Sequence, residues 1–305
     1  MHKIDIGKSG LLASEISLGC MRIGGMSDAE ADALLAAALE SGIDFFDHAD
    51  IYAGGKSEEV FAKALARSST SREDILIQSK CGIRQGMFDF SREHILEAVE
   101  GSLRRLQTDY LDVLLLHRPD TLMEPEEIAD AFMQLEQSGK VRHFGVSNLN
   151  PGQIELLCKY VDQPLIANQL QLSLTNTGMI DAGFNVNMEN PPSIVHDGGI
   201  LEYCRLHDIT IQPWSPFQYG FFEGVFLDND KFPELNRAID TLVEAKGAPN
   251  TAIAIAWLLR HPAKMQPIIG TTTPQRVRDI AQAADIKLTR KEWYDLYLAA
   301  GNKLP

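Results

Sequence analysis

Apolar residues fall along this chain in two alternating rhythms. Short runs such as Ile75-Leu76-Ile77 and Leu111-Asp112-Val113-Leu114-Leu115-Leu116 are apolar almost without a break. Longer stretches such as Arg92 to Leu106 carry apolar residues every three or four positions. The first rhythm suits strands of a parallel sheet buried on both faces, and the second suits helices laid against that sheet.

Reading the rhythms in order predicts the elements. Residues 3–6 and 11–14 flank the turn signal Lys8-Ser9-Gly10, which predicts an N-terminal β-hairpin. Glu15 to Gly19 is a short strand, and Ser27 caps a helix over Ala29 to Ser41, with Glu30 completing a capping box. Strand and helix then repeat: Ile43 to Phe46 with Glu58 to Arg67, Ile75 to Ser79 with Arg92 to Leu106, Tyr110 to Leu116 with Glu126 to Ser138, and Val141 to Val146 with Gly152 to Tyr160. The second half gives a strand at Leu165 to Leu170, a long irregular segment from Ser173 to Gly199, a helix at Ile200 to His207 and a strand at Ile209 to Trp214. A loop from Pro216 to Asp230 leads to helices at Pro233 to Lys246 and Asn250 to Arg260. The strand Gln266 to Ile269, the helix Pro274 to Ala284 and an extra helix at Arg290 to Ala300 complete the chain. Such a succession of strand–helix units predicts an α/β fold, a closed (β/α)8 TIM barrel with an N-terminal hairpin and extra C-terminal helices. A doubly wound open sheet is the alternative, disfavoured because no Gly-x-Gly-x-x-Gly follows the first strand. No linker or shift in composition divides residues 1–305, so a single domain is expected.

Composition narrows the function. A net charge of −14 disfavours nucleic-acid or anionic-membrane partners, whose phosphates need clustered Lys and Arg. Four scattered cysteines without a Cys-x-x-Cys pair read as reduced thiols of a cytoplasmic protein, with no metal site. Met1-His2-Lys3-Ile4-Asp5 does not read as a signal peptide, and no apolar run approaches the ~20 residues of a spanning helix.

The chemistry sits where the apolar runs break. In such barrels working residues lie at the carboxyl ends of the strands. Asp47 and Tyr52 follow the strand that begins at Ile43, Lys80 follows the next, and His117 the one after. Singly, each has a bland reading: a turn cap, a rim aromatic, a solvated lysine, a histidine bonded to backbone. Together, on successive strands, they make a proton-donating device. A phenol is a weak acid, and a nearby ammonium lowers its pKa. Asp47 would hold Lys80 charged, and a neutral His117 would orient a carbonyl oxygen against the Tyr52 hydroxyl. No serine or cysteine nucleophile accompanies the set, so the nucleophile is external, and a hydride from a nicotinamide fits.

The runs Asp47-His48-Ala49-Asp50-Ile51-Tyr52, Leu114-Leu115-Leu116-His117-Arg118-Pro119-Asp120 and Gly139-Lys140-Val141-Arg142-His143-Phe144-Gly145-Val146-Ser147-Asn148, with Lys80, resemble the aldo-keto reductase superfamily across essentially the whole chain. The bacterial oxidoreductase branch with His-Arg-Pro-Asp is the nearest likeness. The resemblance implies a (β/α)8 barrel that reduces aldehydes and ketones with NADPH or NADH and without a metal. It implies Tyr52 as general acid, with Lys80, Asp47 and His117 in the roles above. Ser147, Asn148 and Gln169 would hold the nicotinamide carboxamide, and Trp214, followed by Ser215, would stack on the ring. The family's last-strand motif corresponds to Ile268-Ile269-Gly270-Thr271-Thr272-Thr273-Pro274-Gln275-Arg276, so Gly270, Thr271, Thr272 and Arg276 are expected at the cofactor's phosphates. Gly270 stands where many NADPH-preferring members carry lysine. NADPH is favoured on Arg276 and the threonines, with NADH possible and Arg278 a candidate helper.

The substrate end is less defined. Met21, Ile23 and Phe88 are expected as apolar walls. Arg118 either binds an anionic group of the substrate or forms a salt bridge to Asp120. The Ser173 to Gly199 segment is either a cover for the pocket or a surface insertion. A small-molecule carbonyl is the expected partner, and a monomer or small homo-oligomer the expected state. The alternative function is a regulatory or sensor protein of the same fold that binds NADPH with little turnover, as channel-associated members of the superfamily do. A lyase or isomerase barrel lacks a metal or sugar-phosphate motif.

Overall fold

The computed structural model describes residues Met1–Pro305. Eight parallel strands form the central sheet: β1 (Ser17–Gly19), β2 (Phe45–Asp47), β3 (Leu76–Cys81), β4 (Leu111–Leu116), β5 (Val141–Ser147), β6 (Leu165–Gln171), β7 (Thr210–Trp214) and β8 (Ile268–Ile269). They pair in chain order, with β8 returning to lie beside β1 through Ile268 opposite Ser17. The ring closes where the Gln266 N–H donates to the Ile211 carbonyl at 3.0 Å. The expected (β/α)8 barrel is therefore the fold.

Eleven helices surround it: α1 (Asp28–Glu40), α2 (Lys56–Arg67), α3 (Arg92–Leu106), α4 (Pro125–Gln137), α5 (Pro151–Cys158), α6 (Gly178–Phe184), α7 (Ile200–Leu206), α8 (Pro233–Lys246), α9 (Asn250–Leu259), α10 (Pro274–Ala281) and α11 (Arg290–Ala299). Local chemistry starts many of them. Ser27 and Glu30 form the reciprocal capping box at α1, and Asn150 with Gln153 does the same at α5. Proline opens α4, α5, α8 and α10 at the first helical position, where a missing N–H costs nothing. The buried faces of these helices join the strands in one cluster of 68 apolar residues.

The N-terminal hairpin, Lys3–Ile6 paired with Leu11–Ser14, plugs the floor of the barrel. Its Ile6 and Ala13 pack with the inward residues Phe45, Val113, Leu115 and Ala167 in a separate apolar cluster. Gly7 turns the hairpin at φ +60°, and a Cβ there would stand 2.6 Å from the Ile166 backbone, so the close approach needs glycine. Water is thus kept from the underside of the strand ends. At the C-terminus, α11 docks through Trp293, whose ring stacks on Trp257 at 4.8 Å while each indole N–H donates to the other residue's carbonyl.

Three segments depart from the expected pattern. The Ser173 to Gly199 stretch contains α6 and a 3-10 turn, Pro191–Ser193, and the Asp181 carboxylate of α6 accepts from the Tyr297 hydroxyl at 2.6 Å. The loop after β7 carries a two-stranded hairpin, Gln218–Tyr219 with Gly224–Val225, and another, Ile83–Arg84 with Met87–Phe88, follows β3. These pieces are too short for a periodic signal, so sequence patterning does not reveal them.

Candidate active site

Strands β2, β3 and β4 end side by side, because β2 pairs with β3 and β3 with β4. Their polar ends therefore converge. The Lys80 ammonium is fully buried and donates to the Asp47 carboxylate at 2.8 Å, the His48 carbonyl at 2.7 Å and the Tyr52 hydroxyl at 3.0 Å. Three donor protons meet three acceptors in fixed directions, which leaves this lysine no freedom to wander. The His117 ring stands edge-on to Tyr52 with centroids 5.9 Å apart. Asp47, Tyr52 and His117 all face one cavity of about 940 Å³ that runs from these strand ends to the start of α10. Tyr52 opens a short 3-10 turn, Tyr52–Gly55, in which the following Ala53 and Gly54 take left-handed conformations and lead the chain into α2.

Electrostatics at the site differ in one respect from the sequence expectation. Burial pushes the Tyr52 phenol above its ordinary value, and the Lys80 ammonium pulls against that rise without reversing it. Tyr52 thus stays a protonated donor at neutral pH, and the effect of Lys80 is to limit the cost of losing that proton. Burial also pulls the Lys80 ammonium down, but Asp47 and Tyr52 outweigh it and leave Lys80 above the usual lysine range. The His117 imidazole is held well below its ordinary value by burial, then by Lys80 and Arg118, so it is neutral.

At the barrel's far side the expected nicotinamide residues share the same cavity. Ser147, Asn148, Gln169, Trp214 and Ser215 line it. The Asn148 amide donates to the Ser147 hydroxyl at 2.7 Å, and its oxygen accepts from the Trp214 indole at 3.1 Å, which locks all three. The Trp214 ring is paralleled by Phe222 at 5.8 Å. Gly270, Thr271 and Arg276 line the other end, and Arg276 has no carboxylate within ion-pair distance. The Thr251 hydroxyl at the N-terminus of α9 is buried, faces the cavity and lacks a protein partner. A trench with an orphaned hydroxyl, an unpaired guanidinium and two helix N-termini fits a dinucleotide with phosphates at that end. Asp279 also faces it, and the Arg22 guanidinium bonds the Gly270 carbonyl.

Several expectations do not hold. Thr272 does not line the cavity, and neither do Ile23, which is buried in the core, nor Phe88, which points outward from the hairpin after β3. Arg278 is tied to Glu40 at 2.9 Å and is not free to assist. No residue of the Ser173 to Gly199 segment lines the cavity; the Ser173 and Thr175 hydroxyls instead donate to the carbonyl of Gln218, which does line it. Arg118 makes no salt bridge to Asp120, whose carboxylate instead accepts from the Phe90 and Leu122 backbone. The Arg118 guanidinium lies over the Trp214 ring at 5.5 Å and lines the cavity beside Tyr52 and His117. Missed altogether were Gln78, Gln212 and Gln266, buried amides that connect Asp47 to the barrel floor. The available signal was a glutamine inside or just before each of three strands.

Comparison with known proteins accords with this geometry. A model of the Aldo/keto reductase family matches residues 15–297. The chain is 36% identical to the "Uncharacterized oxidoreductase YcsN" of Bacillus subtilis over 98% of each chain. It is 34% identical to a "6-dehydroglucose reductase" of Agrobacterium fabrum over 95% of each chain. Among solved structures, an aldo-keto reductase of Klebsiella pneumoniae in complex with NADPH superposes with a TM-score of 0.77 at 26% identity, over 97% of this chain and 93% of that one. With the match running through every barrel strand that carries the convergent residues, this chain is an enzyme of the aldo/keto reductase family.

Proposed function

We propose that this enzyme reduces the carbonyl of a small aldehyde or ketone to an alcohol with NADPH, using Tyr52 as the proton donor. One observation carries the reading: a single buried ammonium bonds both the Asp47 carboxylate and the Tyr52 hydroxyl at the floor of the cavity that His117 also faces. The trench would hold a reduced nicotinamide, whose chemistry would be delivery of hydride to the carbonyl carbon. Tyr52 gives its hydroxyl proton to the carbonyl oxygen as charge builds there. Lys80 stabilises the phenolate left behind, and Asp47 holds Lys80 in place. Neutral His117 donates a hydrogen bond to the same oxygen and fixes its direction. Ser147, Asn148 and Gln169 would orient the nicotinamide carboxamide, and Trp214, with Ser215, would wall the ring.

The preference for NADPH rests on Arg276 at the phosphate end, with Gly270 and Thr271 leaving room beside it. Asp279 on the same wall works against a 2′-phosphate, so NADH remains a competing cofactor. Arg276→Ala is expected to weaken NADPH binding by ~10-fold or more, the worth of a charge-assisted contact, while NADH binding stays within about twofold. Quenching of tryptophan fluorescence reads both constants. Equal losses for the two cofactors would remove Arg276 from the 2′-phosphate.

Arg118 indicates the substrate class. It is a half-buried cation without a carboxylate, beside the proton donor. Carbonyl compounds with a carboxylate or phosphate are therefore the expected best substrates. Arg118→Leu should raise KM for such substrates ~10-fold to ~100-fold and leave kcat for neutral aldehydes within a few-fold. A panel followed by NADPH absorbance, with dehydro-sugars included because of the names of two relatives, tests both points. NADPH binding without turnover on the whole panel would favour the sensor alternative.

A further inference from the structure

A line of buried amides runs down the barrel axis from Asp47. The Gln78 amide donates to Asp47 Oδ1 at 2.6 Å and to Gln212 Oε1 at 3.0 Å. The Gln169 amide donates to the same two oxygens, at 3.0 and 3.4 Å. Gln212 passes its own N–H to Gln266 Oε1 at 2.8 Å, and Gln266 donates to the Ser14 carbonyl of the hairpin plug at 2.7 Å. Gln78, Gln212 and Gln266 are completely buried.

The direction of the line is dictated. Turning Gln78 over would set its carbonyl oxygen against a carboxylate oxygen and against Gln212 Oε1, so the anion at Asp47 orders every amide down to Ser14. Gln78 Oε1 has no partner as a result. A buried carbonyl left bare is costly, and here the arrangement satisfies the anion in preference to the amide. Asp47 Oδ1 takes two amide donors, and Oδ2 takes Lys80.

We propose that Gln78, backed by Gln212 and Gln266, is a positioning residue for the reaction: it fixes the Asp47 carboxylate so that Oδ2 holds the Lys80 ammonium on the Tyr52 hydroxyl. The inference rests on the proton-donor reading above. The titratable or charged groups around the pair are Tyr52 and Asp50 beyond β2, the latter raised to about 7 by burial and then by Glu58, with Cys20 beyond β1, His48 after Asp47, and His117 and Arg118 beyond β4, all of them retained in the variants below, so that only a limb absent from wild type counts.

Gln78→Met keeps the volume and removes both donors. With only the longer Gln169 bond left on Oδ1, Asp47 is held less firmly, and Lys80 loses aligned countercharge and gives up its proton at lower pH. The expected result is a kcat lower by ~10-fold, an alkaline limb of kcat shifted down by about one unit, and substrate KM and NADPH Kd within about twofold of wild type. Gln212→Met, one amide further off, should give a smaller change of the same kind. Gln78→Glu keeps a polar group for folding, yet it donates to Asp47 only while protonated, so its activity should acquire a new alkaline limb near neutrality. Ultraviolet difference titration against Tyr52→Phe gives a reading that needs no substrate: the Tyr52 ionisation should move upward in Gln78→Met, because less positive charge faces it. Profiles and titrations that coincide with wild type would overturn the proposal, as would a lower melting temperature with unchanged kinetics. No turnover by the wild type, with a Tyr52 titration that does shift in Gln78→Met, would overturn the proton-donor reading and leave the positioning role standing.

Discussion

Replacing Tyr52 with phenylalanine should lower kcat by ~10²-fold to ~10⁴-fold, the range a positioned general acid contributes, while NADPH still quenches tryptophan fluorescence with nearly wild-type affinity. The reason is local. The Tyr52 hydroxyl is the one protonated group at the cavity floor that is bonded to the buried ammonium, at 3.0 Å from Lys80. His117 is neutral and aimed at the same region, but burial and two neighbouring cations hold its pKa far too low for it to be a charged acid near pH 7. Phenylalanine keeps the ring contact with His117 and removes the hydroxyl, both its proton and the oxygen that accepts from Lys80. Wild-type turnover by the variant would mean that the proton comes from elsewhere, and the assignment of Tyr52 would be lost.

The second large effect belongs to Lys80. Lys80→Met should abolish most turnover and also destabilise the fold by ~3–5 kcal/mol, because it strips the partner from a buried carboxylate. The ammonium and Asp47 are 0% and 3% exposed, so solvent cannot step in for the lost charge. Burial acts to lower the Lys80 pKa, yet Asp47 and Tyr52 leave it above the ordinary lysine value. In the folded protein Lys80 therefore keeps its proton at pH values where an unfolded lysine has lost it. Its stabilising contribution is complete at neutral pH, begins to fade above the unfolded value of ~10.4, and is gone once pH has risen through the folded value. Urea denaturation should show a constant gap between wild type and variant from neutral to mildly alkaline pH, narrowing only above that point. A gap that closed near pH 7 would contradict the raised pKa.

These two substitutions separate chemistry from architecture. Tyr52→Phe leaves the Lys80–Asp47 pair and the amide line intact but takes one of three acceptors from a buried ammonium, so stability should fall by only ~1–3 kcal/mol, less than for Lys80→Met. Lys80→Met strikes both, since the same ammonium holds the Tyr52 hydroxyl and neutralises the anion that orders Gln78, Gln212 and Gln266.

The amino-acid sequence determined the barrel and the location of its chemistry. Period and turn residues are properties of near neighbours, so unbroken apolar runs such as Leu111–Leu116 and capping boxes such as Ser27 with Glu30 announce strands and helices directly. Asp47, Tyr52, Lys80 and His117 were legible because each lies where an apolar run gives way to polar residues, and parallel pairing brings those places together. What sequence patterning left open were contacts across the barrel. Whether Arg118 meets Asp120 depends on backbone N–H groups that claim Asp120 first. Whether Lys80 lowers the Tyr52 pKa overall depends on how deeply the phenol is buried, which no spacing encodes. The amide line joins residues 78, 212 and 266, far apart in the chain and adjacent only because β3, β7 and the approach to β8 face one another across a closed ring. Pairing within the sheet follows from local pattern and chain order. Encounters through the interior depend on barrel closure and on which side chains fill its axis, and those only the tertiary structure decides.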